Sequence, residues 1–117
     1  MDTIQQRIEI FENAAMITRE EAELLDTWAD ILRKEIPGIK SENLERIITH
    51  SAMMMKRKKD QETIDPLSDE IYQTIVDSEQ YPTAVCLFEK MTEHYSANEV
   101  EKRYLILHIC TCLSRED

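Results

Sequence analysis

Glycine is almost absent from this chain of 117 residues, which contains 1 glycine and 3 prolines. Nucleotide-binding α/β folds need several glycines for their phosphate loops and for sharp turns between strands and helices. The composition therefore argues against that fold class. Few helix breakers, together with many Glu, Leu, Met, Lys and Ile residues, predict helices instead.

Long apolar runs are lacking as well. No stretch approaches the roughly 18 residues that a membrane-spanning helix requires, and the N-terminal residues lack the apolar segment of a signal peptide. The three cysteines, Cys86, Cys110 and Cys112, do not have the spacing of a disulfide framework. We therefore expect a cytoplasmic protein with reduced, mostly buried thiols and no membrane contact.

Positive charge is scarce. The chain has 14 Lys and Arg residues but 24 Asp and Glu residues, so the formal net charge is −10. A nucleic-acid-binding protein needs a basic face to replace counterions, and an anionic membrane repels an acidic protein. We expect neither partner. The one basic stretch, Lys56 to Lys59, is interpreted mainly as a solvated helix end that suits the helix dipole; a contact surface for RNA or an acidic protein is the weaker alternative.

Motifs for catalysis are also missing. The sequence has no nucleophile elbow, no glycine-rich phosphate loop and no convincing carboxylate pair. His108, Cys110 and Cys112 come closest to a metal-ligand set, but side chains two residues apart on a helix point about 200° apart. We therefore expect no enzymatic activity, no cofactor and no metal.

The spacing of apolar residues predicts an all-α protein, a compact helical bundle of about five or six helices. Residues 1–18 are interpreted as an N-terminal helical extension and residues 19–117 as one helical domain. The predicted helices cover about residues 2–14, 19–36, 42–59, 69–79, a segment from Pro82 to about Tyr95, and 99–114.

Capping residues and apolar stripes support these helices. Thr18 with Glu21 is a capping box, and Ser41, Ser68 and Asn98 are predicted N-caps. The predicted apolar stripe of the second helix is Leu24, Leu25, Trp28, Ile31 and Leu32, and that of the third is Leu44, Ile47, Ile48, Ser51, Met54 and Met55. Met53 is predicted to point outward, and the sixth helix is apolar all round.

The third and sixth helices carry a resemblance to a known family. The stretch from His50 to Arg57 reads HSAMMMKR, and the stretch from Glu99 to Ile109 reads EVEKRYLILHI. Together with Tyr81-Pro82 and the separation of 58 positions from His50 to His108, they resemble the PTS regulation domain (PRD) family. Its members are all-helical bacterial control modules that the sugar phosphotransferase system phosphorylates on histidine.

The resemblance covers residues 19–114 and implies a single PRD-like module. By that resemblance, His50 and His108 are phosphorylation sites, and the donor is the phosphocarrier HPr or a sugar-specific enzyme II component. The expected module is a homodimer that acts on transcription or antitermination through a regulator protein.

The residues around the histidines fit this chemistry. A neutral imidazole is a nucleophile at cytoplasmic pH, and Arg46 and Arg57 share one side of a helix with His50. Arginine can hold a phosphoryl group. Glu101 can orient an imidazole from a neighbouring helix or serve only as a cap. Each histidine also has an ordinary structural interpretation, at the edge of the apolar stripe for His50 and in the core or an interface for His108.

The alternative function is a constitutive interaction module with the same helical fold. Such a module is not phosphorylated and serves for dimerisation or docking. The outward Met53 is a candidate contact residue in this interpretation.

Overall fold

The computed structural model describes residues 2–114, and within them all regular structure is α-helical. The all-α class and the number of helices are therefore confirmed. The helices are α1 (Thr3–Asn13), α2 (Arg19–Glu35), α3 (Ser41–Asp60), α4 (Asp69–Val76), α5 (Tyr81–Met91) and α6 (Glu99–Ser114). No helix in this part of the chain is long and apolar enough to span a bilayer.

The chain divides into two compact units, one ending at Thr63 and the other beginning at Ile64. In the first unit, α1, α2 and α3 all pack against one another. In the second unit, α6 packs against both α5 and α4. The predicted domain boundary after residue 18 stays a prediction, although α1 packs on both other helices of its unit.

The predicted capping box begins α2. The Thr18 hydroxyl accepts the Glu21 N–H at 3.1 Å, and the Glu21 carboxylate accepts the Thr18 N–H at 2.9 Å. The helix ends at Glu35, where Pro37 follows and Gly38 adopts a φ of 83°. Since a residue with a Cβ is disfavoured there, the single glycine stands where the backbone requires it.

The predictions for the other N-caps were only partly correct. Ser68 accepts the Ile71 N–H at 3.1 Å and Asn98 accepts the Glu101 N–H at 2.9 Å, as expected. The prediction for Ser41 is wrong, because Ser41 is already helical and Lys40 occupies the N-cap without a side-chain hydrogen bond. The Lys40 carbonyl accepts the Leu44 N–H at 3.0 Å and so begins the helix.

Two helices in the second unit are shorter than predicted. α4 ends at Val76, and the backbone then forms a turn in which the Ser78 N–H donates to the Ile75 carbonyl at 3.1 Å. α5 ends at Met91, so Tyr95 lies beyond the helix to which it was assigned. There the Thr92 hydroxyl donates to the Phe88 carbonyl at 2.8 Å.

The core of the first unit comes from one face of each helix. All six residues of the predicted α3 stripe are buried. On α2 the buried row is Ala22, Leu25, Trp28, Ala29 and Leu32. Leu24 and Ile31 are only half-buried; the two small alanines replace them on the packed face, where they allow close approach of a neighbouring helix.

The core of the second unit centres on α5 and α6. Its buried apolar residues are Ile75, Ala84, Leu87, Phe88, Met91, Leu105, Ile106, Ile109, Cys110 and Cys112. Leu107 and Leu113 of α6 are half-buried. The predicted all-round apolar helix therefore has one fully buried side and one partly covered side.

Candidate functional site

His50 lies in the middle of α3 at the margin of the buried row. Its side chain is half-buried, between the buried Ile47 and Met54 along the helix. Nε2 of the ring is shielded from solvent. An incoming phosphoryl donor therefore has to use Nδ1, or the ring has to turn before Nε2 is reached.

The two arginines predicted to support a phosphoryl group both lie on α3. Arg46 is exposed, and its Nη1 donates to Asn43 Oδ1 at 3.1 Å, toward the start of the helix. Arg57 is half-buried and lies two turns after His50. Their supporting roles stay predictions.

A third arginine, Arg7 on α1, reaches α3 at Glu45 and Thr49. Its Nη1 lies 3.4 Å from Thr49 Oγ1 and its Nη2 lies 3.2 Å from Glu45 Oε1. Sequence reasoning missed this residue, because the contact spans 42 positions. The available signal was that Arg7 is the only basic residue of α1 and lies between the apolar residues Ile4 and Ile8.

His108 lies on α6 and is half-buried. Glu101 is buried on the same helix, but seven residues separate it from His108, which is about 10 Å along a helix axis. At that separation Glu101 does not reach His108, and its backbone N–H serves the Asn98 cap. Its role toward an imidazole of a neighbouring helix stays a prediction. His50 belongs to the first unit, whereas His108 belongs to the second.

The third histidine differs from these two. His94 lies beyond the end of α5 and is exposed. It belongs to no motif of the resemblance.

The three cysteines differ in exposure. Cys86 is exposed, while Cys110 and Cys112 are buried. Burial raises the pKa of the Cys110 thiol, which disfavours the reactive thiolate. Across residues 2–114 no group of three or more His, Cys, Asp or Glu side chains has an arrangement that could hold a metal ion.

The basic end of α3 is tied into the first unit. Lys56 Nζ lies 2.7 Å from Asp60 Oδ2, and Lys59 Nζ donates to the Ala15 carbonyl at 3.0 Å. The hydrogen bond and charge of Asp60 raise the pKa of Lys56. Lys56 and Lys59 of this basic run therefore have intramolecular partners that fix a helix end.

An acidic cleft of about 280 Å³ lies between α1 and α2. Its charged lining residues are Glu9, Glu12, Arg19, Glu23 and Asp26. Burial, followed by the charges of Asp30 and Asp2, raises the pKa of Asp26. Nε of Arg19 lies 3.5 Å from Oε2 of Glu23. The remaining carboxylates therefore give the cleft a net negative charge.

The chain matches no protein-family model, no curated protein and no solved structure. The resemblance to the PRD family therefore depends on the motifs and on their order along the chain.

Proposed function

We propose that this chain is a regulatory module resembling a PRD, phosphorylated on His50 and His108 by the sugar phosphotransferase system. The observation that carries the proposal is the shared placement of these two histidines. Both are half-buried on long helices beside buried apolar residues, whereas His94, outside the resemblance, is exposed. A charge added at such a margin acts on packing, while a charge added at an exposed site meets mainly solvent.

The transfer step needs no cofactor. A neutral ring nitrogen of the acceptor attacks phosphorus on the phosphohistidine of HPr or of an enzyme II component, and the new N–P bond forms. The N–P bond of the donor breaks and its electron pair returns to the donor nitrogen, so the donor ring, which is protonated on its other nitrogen, leaves as a neutral imidazole. The acceptor ring carries the phosphoryl group and retains the proton on its other nitrogen.

The consequence of the transfer is electrostatic. A phosphoryl group adds about −1.5 to −2 charges at neutral pH, by analogy with phosphorylated hydroxyls, to a chain whose net charge is −10. The energetic cost of the added charge depends on nearby cations. Arg46 and Arg57 are the candidate cations at His50. Glu101 is the candidate supporting residue of α6. The added charge shifts a homodimer or partner interface between two states.

The output passes through a partner. We propose that the phosphorylated and unphosphorylated forms differ in affinity for a regulator of transcription or antitermination in the cytoplasm. Direct contact with nucleic acid is no part of this proposal, since the acidic chain disfavours it.

A constitutive interaction module is the second candidate, favoured by exposed apolar side chains. Ile10 on α1 is 63% exposed, Met53 on α3 is 41% exposed and Ile71 on α4 is 49% exposed. The shielded Nε2 of His50 also suits this candidate. Such a module binds its partner equally well with and without the phosphotransferase system.

Incubation of the full chain with phosphoenolpyruvate, enzyme I and HPr separates the two candidates. We expect an acid-labile phosphoryl adduct by intact mass, which is reduced in His50→Ala and in His108→Ala and absent in the double variant. His94→Ala is the matched control and keeps the adduct of the wild-type chain.

Two results would contradict this proposal. If HPr phosphorylates a known acceptor in the same mixture but never this chain, the phosphorylation proposal is wrong. If the adduct survives in the double variant, the assignment of the sites is wrong.

A further inference from the structure

We propose that the outer face of α3, which consists of Arg46, His50, Met53 and Arg57, is a docking surface for an acidic, amphipathic helix of a partner protein. Such a helix supplies the partner that the proposed function requires. Its release by phosphorylation of His50 rests on that proposed function, whereas the docking surface itself does not.

The four residues of the outer face lie in one row along α3. Their spacing is i, i+4, i+7 and i+11 within a helix that runs from Ser41 to Asp60. At about 100° per residue their side chains fall within an arc of about 60°, and the two arginines are about 16.5 Å apart along the helix axis. The row therefore lies on the opposite side of α3 from the buried Leu44, Ile48 and Met55.

The middle of the outer face offers apolar contact area. The side chain of Met53 is 41% exposed. Methionine is unbranched and polarizable, so it adapts to an apolar side chain placed against it. His50 is half-buried and lies one turn before Met53, and the body of its ring extends this area. A partner therefore gains by placing apolar side chains over these two residues.

The two ends of the outer face are positively charged. Arg46 is exposed, and its Nη1 donates to the neutral amide oxygen of Asn43 at 3.1 Å. This hydrogen bond leaves the charge of Arg46 uncompensated. Arg57, at the other end of the row, is half-buried. Carboxylates that lie about 16.5 Å apart on a partner helix match the two guanidinium groups.

Along its whole length α3 is basic within an acidic chain. Five basic and three acidic side chains give the helix a net charge of +2, so the rest of the chain carries −12. Among the helices of residues 2–114, α3 alone has a net positive charge. Two of its carboxylates have cationic partners, because Glu45 lies 3.2 Å from Arg7 and Asp60 lies 2.7 Å from Lys56.

A protein helix fits this surface better than a nucleic acid does. A nucleic acid presents a continuous series of phosphates, which the −12 charge of the rest of the chain repels. A helix with carboxylates only at the two ends of one face, and apolar side chains between them, complements the arginines and Met53 together.

Phosphorylation of His50 changes the sign of this surface. The phosphoryl group adds about −1.5 to −2 charges at neutral pH, in the row between Arg46 and Arg57. This charge offsets the two arginines and repels the carboxylates of the partner. The unphosphorylated chain therefore binds the acidic helix, and the phosphorylated chain releases it.

A synthetic helical peptide tests the surface. One face of the peptide has glutamate, leucine, leucine and glutamate with the spacing of the outer face itself, and the remaining positions are alanine and glutamine. The comparison peptide has lysine in place of both glutamates. Fluorescence anisotropy of each labelled peptide measures its affinity for the full chain, and circular dichroism checks that every variant is folded.

Charge reversal at Arg46 provides the decisive comparison. We expect Arg46→Glu to weaken binding of the glutamate peptide about fivefold and to strengthen binding of the lysine peptide, as for exposed ion pairs made and lost. The matched control is Lys34→Glu, which makes the same change of net charge at an exposed position in the last turn of α2. It should leave the affinity for the glutamate peptide nearly unchanged.

The apolar centre has its own variant. Met53→Gln should weaken binding of the glutamate peptide several-fold, whereas Ile71→Gln should not. Ile71 on α4 is 49% exposed, so the two changes remove similar apolar side chains from different surfaces. This pair keeps the test decisive if Arg46→Glu does not fold.

His50→Glu and His50→Gln test the effect of negative charge without phosphorylation. We expect the glutamate variant to bind the glutamate peptide several-fold more weakly than the glutamine variant does. Equal affinities would contradict release of the partner by phosphorylation.

Three results overturn the docking surface. They are no binding of the glutamate peptide, an equal loss of affinity in Arg46→Glu and Lys34→Glu, and an oligouridylate that binds the outer face more tightly than the peptide does. Peptide binding that depends on Arg46 and Met53, in a chain that HPr never phosphorylates, supports the docking surface and contradicts only the proposed function.

Discussion

Tyr72 in the second unit is a residue whose ionisation the surroundings control. Its hydroxyl lies 3.2 Å from the hydroxyl of Tyr81, and the guanidinium of Arg103 lies 4.1 Å from its ring centre. The hydrogen bond to Tyr81, then burial and the charge of Tyr81, raise the pKa of Tyr72 to about 12. The folded state therefore favours the neutral phenol.

A pH dependence of stability follows from this shift. A raised pKa contributes stability that is fully present below the unfolded value of about 10 and is lost as the pH rises through the folded value of about 12. We expect the free energy of unfolding, from urea titrations, to fall across this window more steeply in the wild-type chain than in Tyr72→Phe.

Tyr81, the hydrogen-bond partner of Tyr72, provides a second test of this prediction. In Tyr81→Phe the pKa of Tyr72 should move down toward its ordinary value, and absorbance titration of the phenols should lose its last step. The same alkaline slope in wild type and Tyr72→Phe would show that another group controls it.

At the scale of one helix, α2 shows how local sequence determines a boundary. The reciprocal hydrogen bonds of Thr18 and Glu21 satisfy backbone N–H groups that no helical carbonyl can reach. Thr27 lies within the same helix, where its exposed hydroxyl donates to the Glu23 carbonyl at 3.1 Å. The Glu23 carbonyl already belongs to the backbone hydrogen bonds of the helix, so the Thr27 side-chain bond adds little stability.

Thr18→Ala should therefore lower the free energy of unfolding by about 1 kcal/mol, the usual value for loss of a side-chain N-cap. Chemical denaturation monitored by circular dichroism measures the change. The matched control is Thr27→Ala, which should be neutral or slightly stabilising because alanine is the better helix former. Equal losses in both variants would contradict a specific role of the cap.

For the whole molecule the dominant physical feature is the net charge of −10. The acidic cleft between α1 and α2 concentrates part of this charge, and the pKa of Asp26 is raised there by burial and by the charges of Asp30 and Asp2. Self-repulsion of this kind lowers stability at low ionic strength.

Added sodium chloride should therefore stabilise the chain up to about 0.15 M, where the Debye length is about 8 Å. Thermal unfolding at several salt concentrations measures the effect. The dependence should be weaker in Asp26→Asn, which removes one charge from the cleft. A midpoint that falls with added salt would mean that ion pairs outweigh the repulsion.

The sequence by itself determined the helical class, the approximate helix positions and the buried row of α3, because these depend on local spacing and on capping residues. The limits of α4 and α5 were missed, since the chain turns after each helix, where the Ser78 N–H donates to the Ile75 carbonyl and the Tyr95 N–H to the Thr92 carbonyl. The observed buried face of α2 also differs from the predicted one, since it includes the helix's two alanines, and close packing favours small residues.

Only the tertiary structure decided the surroundings of the predicted site. It brought Arg7 from 42 positions away to Thr49 on α3. It also shielded one nitrogen of His50. The periodicity of a helix predicts which residues share its face, but the partner that crosses from another helix depends on how the helices pack.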